Sequence, residues 1–230
     1  MRAIILAGGK GSRLKPYTAL IPKPLVPLGG KTSVIEIIIK QLSKYGFDHI
    51  TIAVNHLSHL IESYLGNGKK YNVKIDYSLE KKVLGTVGPL GLIEDLPEDF
   101  LVMNGDILTN LNYKSLLKLH KKKKNLITLG TFKRQTFIDF GTLETKKNKI
   151  IKFIEKPTLD FNVSMGVYCL NKKAILSMKK NQFLNFDVFI KKNIKQNICS
   201  YNHKGFWLDI GRVDDYEFAD QNFSKLIKKL

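Results

Sequence analysis

A short apolar run that empties straight into a cluster of glycines constrains this chain more than any other stretch. Residues 1–27 read MRAIILAGGKGSRLKPYTALIPKPLVP. Arg2 to Ala7 is an apolar, branched run with the composition of a buried strand. It leads directly into Gly8, Gly9 and Gly11, then Ser12 and Arg13, with Lys23 held between Pro22 and Pro24. Residues without a Cβ let a backbone approach a ligand closely and turn its N–H groups toward an anion. Arg13 and Lys23 add fixed positive charge nearby, a combination suited to a polyphosphate. Glycine spacing alone fits an ordinary strand-to-helix turn equally well. The full string GGKGSRL followed by PKPLVP favours the anion-binding reading.

With 230 residues, 43% of them hydrophobic, the chain can bury one substantial core, and a single domain over 1–230 is expected. Cys169 and Cys199 are the only cysteines, both in apolar, strand-like contexts. They read as buried thiols acting as small hydrophobes rather than a secreted disulfide scaffold. The N-terminal apolar run is too short for a leader sequence, and nothing approaches the ~20 apolar residues of a membrane span. A soluble, cytoplasmic protein is expected. The formal net charge of +18 invites a nucleic-acid reading. The lysines are scattered, however, and the one compact run, Lys121 to Lys124, follows an apolar-periodic helix over Tyr113–His120. It reads as that helix's C-terminus, where cations suit the macrodipole. The expected partners are therefore polyanionic small molecules drawn to a basic surface, with neither nucleic acid nor membrane among them. A homodimer is left open.

Strand and helix patterns alternate through the first half. Strands are expected at Ala3–Leu6, Ile50–Val54, Val73–Tyr77 and Phe100–Met103. Ser33 with Glu36 has the form of a capping box for a helix through Tyr45, stopped by Gly46. Leu57, Leu60, Ile61, Tyr64 and Leu65 recur at helical spacing before a glycine-rich turn. Such alternation implies βαβ units and an α/β fold with a Rossmann-like, mostly parallel sheet flanked by helices. From about residue 126 the pattern becomes strand-rich: Leu126–Phe132, Gly141–Thr145, Ile150–Glu155 and Ser164–Leu170. Helices return near Lys172–Met178 and Phe186–Lys192, with a last one from about Val213. The second half is thus expected to build a smaller lobe into the same domain.

Better-known phosphate loops fail on this sequence. A dinucleotide GxGxxG read from Gly9 finds Leu14 at its third glycine, and a Walker A read ending at Gly30-Lys31-Thr32 finds Leu25 at its first. The N-terminal string instead resembles the signature of the sugar-1-phosphate nucleotidyltransferases, with Ser12 where that family usually has threonine. Four later segments continue the resemblance in family order. Leu84-Gly85-Thr86-Val87-Gly88-Pro89-Leu90 is similar to the element that covers the nucleotide base. Val102-Met103-Asn104-Gly105-Asp106 ends a strand on a carboxylate, where open α/β sheets place ligands. Phe153-Ile154-Glu155-Lys156-Pro157 resembles the EKP motif, and Phe206-Trp207-Leu208-Asp209-Ile210-Gly211 the W-x-D-I-G element.

The resemblance implies a nucleotide-binding half to about residue 125 and a sugar-phosphate-binding half beyond it. Leu6, Ala7, Gly8, Gly9, Gly11, Ser12, Arg13, Lys23, Gly85 and Thr86 would bind the nucleoside triphosphate, with main-chain groups around Leu6–Gly8 and Gly85 at the base edge. Arg13, Lys23 and Asp106 would be catalytic, and Asp106 with Asp209 would hold Mg²⁺. Gly141, Glu155, Lys156 and Ser164 would face the sugar 1-phosphate. Ser164 stands where the family commonly has asparagine, so sugar identity stays open. Pro24 replaces the glutamine of the thymidylyl branch, and the pattern is most like short guanylyltransferases acting on mannose-type or heptose 1-phosphates, which puts GTP first. His56 and His59 find no third ligand and read as surface or capping residues. Two other classes remain: a cytidylyltransferase acting on a non-sugar phosphate, and a non-enzymatic polyanion-binding protein. No fused acyltransferase domain is expected.

Overall fold

The computed structural model covers residues 1–230. The first half supplies strands β1 (Arg2–Leu6), β2 (Pro27–Leu28), β3 (Thr32–Ser33), β4 (His49–Val54), β5 (Lys74–Leu79), β6 (Asp99–Asn104) and β7 (Ile107–Thr109). Its helices are α1 (Val34–Lys44), α2 (Ser58–Leu65) and α3 (Tyr113–Lys122). The second half adds β8 (Ile127–Phe137), β9 (Thr142–Lys146), β10 (Lys149–Ile154), β11 (Thr158–Asn171), β12 (Ile198–His203) and β13 (Trp207–Asp209). With them come α4 (Lys172–Leu176), α5 (Phe186–Asn193), α6 (Val213–Gln221) and α7 (Phe223–Leu226). No helix is long and apolar enough to cross a membrane.

Strands from both halves share one seven-stranded sheet, ordered β12-β8-β11-β6-β1-β4-β5. β1, β4, β5 and β6 run parallel, as do β8 and β12, while β11 lies antiparallel between β6 and β8. The central strands are apolar on both faces because both faces are covered. In β1, Ala3 and Ile5 join the core that α1, α2 and α3 cover, whereas Ile4 joins the core under α4 and α5. In β6, Leu101 and Met103 face the first core, Phe100 and Val102 the second. A one-residue slip would exchange these sets, so the register is fixed by burial on both sides.

Several local expectations need correction. Ser33 Oγ accepts the Glu36 N–H at 3.4 Å, but the Glu36 carboxylate does not reach back. It accepts instead from Thr32 Oγ1 at 3.1 Å and Tyr64 Oη at 2.9 Å and pairs with Lys40, so the capping box is half formed. The last helix is broken at Asn222, where α6 gives way to α7. Leu57, at φ 56°, heads α2 without a side-chain cap, so neither His56 nor His59 caps it. Cys169 is buried as expected, but Cys199 is only half-buried and lies 3.4 Å from Asn125 Oδ1.

The smaller lobe is an arm. Beyond the sheet, β8 and β11 continue as a two-stranded ladder from Phe132–Val163 to Phe137–Thr158, carrying the β9–β10 hairpin at its far end. β8 runs antiparallel to β11, and β11 antiparallel to β6, so the arm rises from the sheet's carboxyl end, the end at which β1 and β6 deliver their loops. A bulge between Ser164 and Tyr168 separates the two parts of β11. Residues 158–162 are exposed, and Met165 to Leu170 are buried.

Candidate active site

The loops at the carboxyl end of the sheet enclose a cleft of 470 Å³. Leu6, Gly8, Gly9, Gly11, Ser12, Arg13, Lys23, Gly85, Thr86 and Asp106 all line it, so most of the nucleotide-side residues read from the sequence converge. Ala7 does not. It is buried, and its N–H is taken by Ala53 O at 2.8 Å, because it still belongs to the sheet ladder.

The glycine loop is shaped by what lies behind it. Gly11 sits at φ +62° and its carbonyl accepts from both Leu14 N and Thr18 Oγ1, at 2.9 and 2.7 Å. Leu14, fully buried, pins the following one-turn helix, so that Arg13 points out while its neighbour is locked in the core. Lys23 opens a second such turn between prolines, where fixed φ angles limit the backbone. Its side chain is mostly buried and pairs with Asp106 Oδ2.

Asp106 follows β6 and Asp209 ends β13, which pairs with β7 so that Asp209 lies opposite Ile107. The Ile210 N–H donates to Asp106 O at 3.1 Å, fixing the two carboxylate-bearing loops together. Asp106 Oδ1 is buried without a hydrogen-bond partner. Asp209 Oδ1 accepts the Gly211 N–H at 2.8 Å. Burial and the Asp106 charge raise the Asp209 carboxyl above its usual range, against the pull of Lys23, Gly211 and Arg13. Gly211 marks how tightly these groups meet. A Cβ there would stand 2.7 Å from Asp209 Oδ1, 3.3 Å from Lys23 Nζ and 3.5 Å from Arg13 Nη2. An orphaned carboxylate oxygen beside a second carboxylate fits a hard cation, which prefers oxygen ligands and takes the remainder from water or phosphate.

The opposite end of the cleft is closed by the Leu84–Gly88 segment. Gly85 adopts φ +80°, and a Cβ would lie 2.6 Å from both Leu184 O and Asn185 Oδ1. Thr86 donates its N–H to Asn185 Oδ1 at 3.1 Å and accepts the Phe186 N–H at 2.9 Å. The head of α5 thus clamps the loop from the second half of the chain.

The acceptor-side residues are not in this cleft. Gly141, Glu155, Lys156 and Ser164 are exposed on the arm or at its root. Gly141 packs against Phe153 and Glu155, since a Cβ on it would meet both side chains within 3.0 Å. Lys156, at φ +46°, pairs with Asp139 at 2.8 Å. Ser164 Oγ lies 3.1 Å from Tyr168 Oη at the bulge. Sequence reasoning missed Glu80, Asn104, Phe183, Asn185 and Gly211, which line the cleft as well. Only Asn104 and Gly211 sat inside strings already singled out. The others are brought in by loop geometry.

A glycine loop, two cations and a carboxylate pair at the carboxyl end of an α/β sheet form an anion-binding cleft suited to phosphate chemistry. The chain belongs to the nucleotidyl transferase family, whose model matches residues 2–225. It is 34% identical over 240 residues to a UTP–glucose-1-phosphate uridylyltransferase of Synechocystis sp., covering 94% of this chain and 61% of that protein. It is 30% identical over 226 residues to a mannose-1-phosphate guanyltransferase of Yarrowia lipolytica, covering 94% and 62%. The chain thus spans about three fifths of the length of these curated relatives. The crystal structure of HddC from Yersinia pseudotuberculosis is similar at a TM-score of 0.76 and 25% identity, covering 96% of this chain and 99% of that one. The Rossmann-like α/β fold expected from the alternating pattern is the fold observed.

Proposed function

We propose that the chain transfers a nucleotidyl group from a nucleoside triphosphate, GTP first, to a sugar 1-phosphate. A phosphate oxygen of the sugar 1-phosphate forms a bond to the α-phosphorus. The bond from that phosphorus to its bridging oxygen breaks, and pyrophosphate leaves. The attacking oxygen is already ionised, so no general base is needed, and the work is positioning and charge neutralisation. The observation that carries this reading is the convergence of Arg13, Lys23 and Asp209 around Gly211, with Asp106 paired to Lys23, at the mouth of the glycine loop.

In this reading the loop's main-chain N–H groups cradle the phosphates, Arg13 steadies the departing pyrophosphate, and Lys23 neutralises the α-phosphate. Lys23 must then exchange part of its pairing with Asp106 for phosphate, which frees Asp106. Asp106 and Asp209 would hold Mg²⁺, which when bound offsets the negative charge of the two reactants. The arm supplies the acceptor side. It stands next to β6, hence on the Asp106 side of the cleft. Lys156 is held there only by a half-exposed pair with Asp139, weak enough to be exchanged for a phosphate. Glu155 and Gly141 would face the sugar.

Preference for GTP is supported by the guanyltransferase relative and by Pro24. The test is a matrix of GTP, CTP, UTP and dTTP against mannose, glucose and heptose 1-phosphates, scored by pyrophosphate release. Release from no pair would reject the reading.

A further inference from the structure

The arm carries a patterned apolar surface that nothing else in the chain covers. In its ladder the registered pairs Thr136–Leu159, Arg134–Phe161 and Phe132–Val163 share one face, while Gln135–Asp160 and Lys133–Asn162 share the other. The second of these faces is polar and tied together. Asp160 accepts from Gln135 Nε2 at 3.0 Å and pairs with Lys133 at 2.8 Å. The first sets Leu159, Phe161 and Val163 at every other position of β11, the period of a strand half-buried against a core. Only the root of that face has such a cover. Phe132 packs on Trp207 with ring centroids 5.5 Å apart, whereas Leu159 and Phe161 farther out are 40% and 49% exposed.

The hairpin at the far end repeats the arrangement. Its pairs Leu143–Phe153 and Thr145–Ile150 share one side, and the three apolar members are more than half exposed. Nine large hydrophobic side chains within 137–161 are exposed in all. Together they present on the order of 1,000 Å² of apolar surface. That is more than the roughly 300–600 Å² of the largest patch on a typical monomer, and enough for the about 800 Å² that each partner gives to a stable interface. A two-stranded ribbon is also marginal by itself in water and gains independent stability by packing.

We infer that the arm is a homodimer interface, in which two copies pack the Leu159–Phe161 faces of their arms together and so complete the acceptor lobe. The inference rests on the reading of Gly141, Glu155 and Lys156 as the acceptor side. The charges favour a second copy over a lipid surface. Asp139, Glu144 and Asp160 stand among the apolar side chains, paired with Lys156, Lys152 and Lys133. Lipid would strip these groups of water without returning a polar partner. An isologous contact has to be self-complementary, and an arm bearing both signs meets that condition. The contact also bears on the site. A Cβ on Gly141 would lie 2.6 Å from the Phe153 ring and 3.0 Å from Glu155 Oε2, so an exposed aromatic lies on the same side of the hairpin as two acceptor residues. Holding the arm against a second copy therefore steadies the strands that carry them. Both edges of the ladder stay open, since β12 follows β8 only to Phe132 and β6 joins β11 only from Val167, so the arm's amides remain less protected than those of the core.

Sedimentation velocity at micromolar concentration should give wild type twice the mass of one chain. Phe161→Asp places a charge in the seam and should give a monomer. Displacement of a fluorescent N-methylanthraniloyl-GTP from that variant should report nucleotide affinity within about twofold of wild type, as expected for a distant site. Its KM for the sugar 1-phosphate should rise about tenfold or more, because the competent arm is then only fractionally populated. Photo-crosslinking covers the case of a poorly folded aspartate variant. Phe161→benzoylphenylalanine keeps an aromatic group and should join two chains on illumination, whereas Gln135→benzoylphenylalanine, on the polar face, should not. A monomeric wild type, a Phe161→Asp variant that stays dimeric, dissociation with an unchanged acceptor KM, or a monomer that co-sediments with phosphatidylserine vesicles overturns the inference. A dimer that releases pyrophosphate from no substrate pair would reject the transfer reading and leave the arm contact intact. A monomer with full release would do the reverse.

Discussion

Asp209 is partly buried next to another carboxylate, and both the desolvation and the neighbouring charge raise its pKa. A raised carboxyl pKa means the folded chain holds that proton more tightly than the unfolded chain does. Its stabilising effect is therefore present at low pH and lost as pH rises through the raised value. Asp209→Asn removes the ionised group while keeping an acceptor for the Gly211 N–H. Thermal melts should show the variant more stable than wild type at pH 7, by a few degrees, with the gain vanishing near pH 3, where Asp209 is protonated in both states. A lower melting temperature at pH 7 would contradict this. The same substitution should be costly to function. Asp209→Asn and Asp106→Asn should each lower turnover about 100-fold or more with Mg²⁺ present, as removal of other charge stabilisers does. Near-normal turnover in either would remove the metal from the reading. The two cations should separate by substrate. Arg13→Ala should impair nucleotide use, while Lys156→Ala should raise the KM for the sugar phosphate more than for the nucleotide. Equal effects on both KM values would misplace Lys156.

At the level of elements, the Leu84–Gly88 loop is the most exacting piece. Gly85 lies at a left-handed φ of +80° and faces Leu184 O and Asn185 Oδ1. An L-residue there meets about 1–2 kcal/mol of backbone strain before any displacement of α5. Gly85→Ala should lower the melting temperature by several degrees and raise the nucleotide KM, with a smaller effect on the sugar phosphate. Much of this level was legible beforehand. β1, β4 and β6 read as strands because apolar runs of their length suit burial on both faces, and α1 because Ser33 and Gly46 bracket a helical periodicity. β2, β3, β7 and β13 were not legible, since two or three residues carry no period, although β13 is what places Asp209. Glu80 was missed for a different reason. A charged residue after a strand, followed by Lys81 and Lys82, reads as a solvated turn, and its burial comes from Gly8 and Leu84, distant in sequence or set by the loop's path. Asn185 and Phe183 reach the cleft only through the clamp between the halves, a tertiary contact with no local signature.

For the whole molecule, a net charge of +18 creates a field that draws polyanions to a cleft already lined by Arg13 and Lys23. The KM for the triphosphate should therefore rise as ionic strength is increased past the point where the Debye length falls to about 8 Å. A KM indifferent to salt would mean the scattered lysines do not contribute. The arm raises a separate matter. β11 is one strand in two settings, buried in the sheet to one side of the bulge and exposed beyond it, with Gly166 at φ +71° inside the bulge. Exposed backbone bonds open more readily than those in a packed sheet. Amides of 133–162 should exchange with solvent markedly faster than those of β1 and β6, and addition of sugar 1-phosphate in the presence of nucleotide should slow them. The two reactants would then meet on supports of unequal stiffness, one fixed by the core and one carried on a lever. Such an asymmetry favours a compulsory order of addition, nucleotide before acceptor. Product-inhibition patterns that show random addition would argue against it.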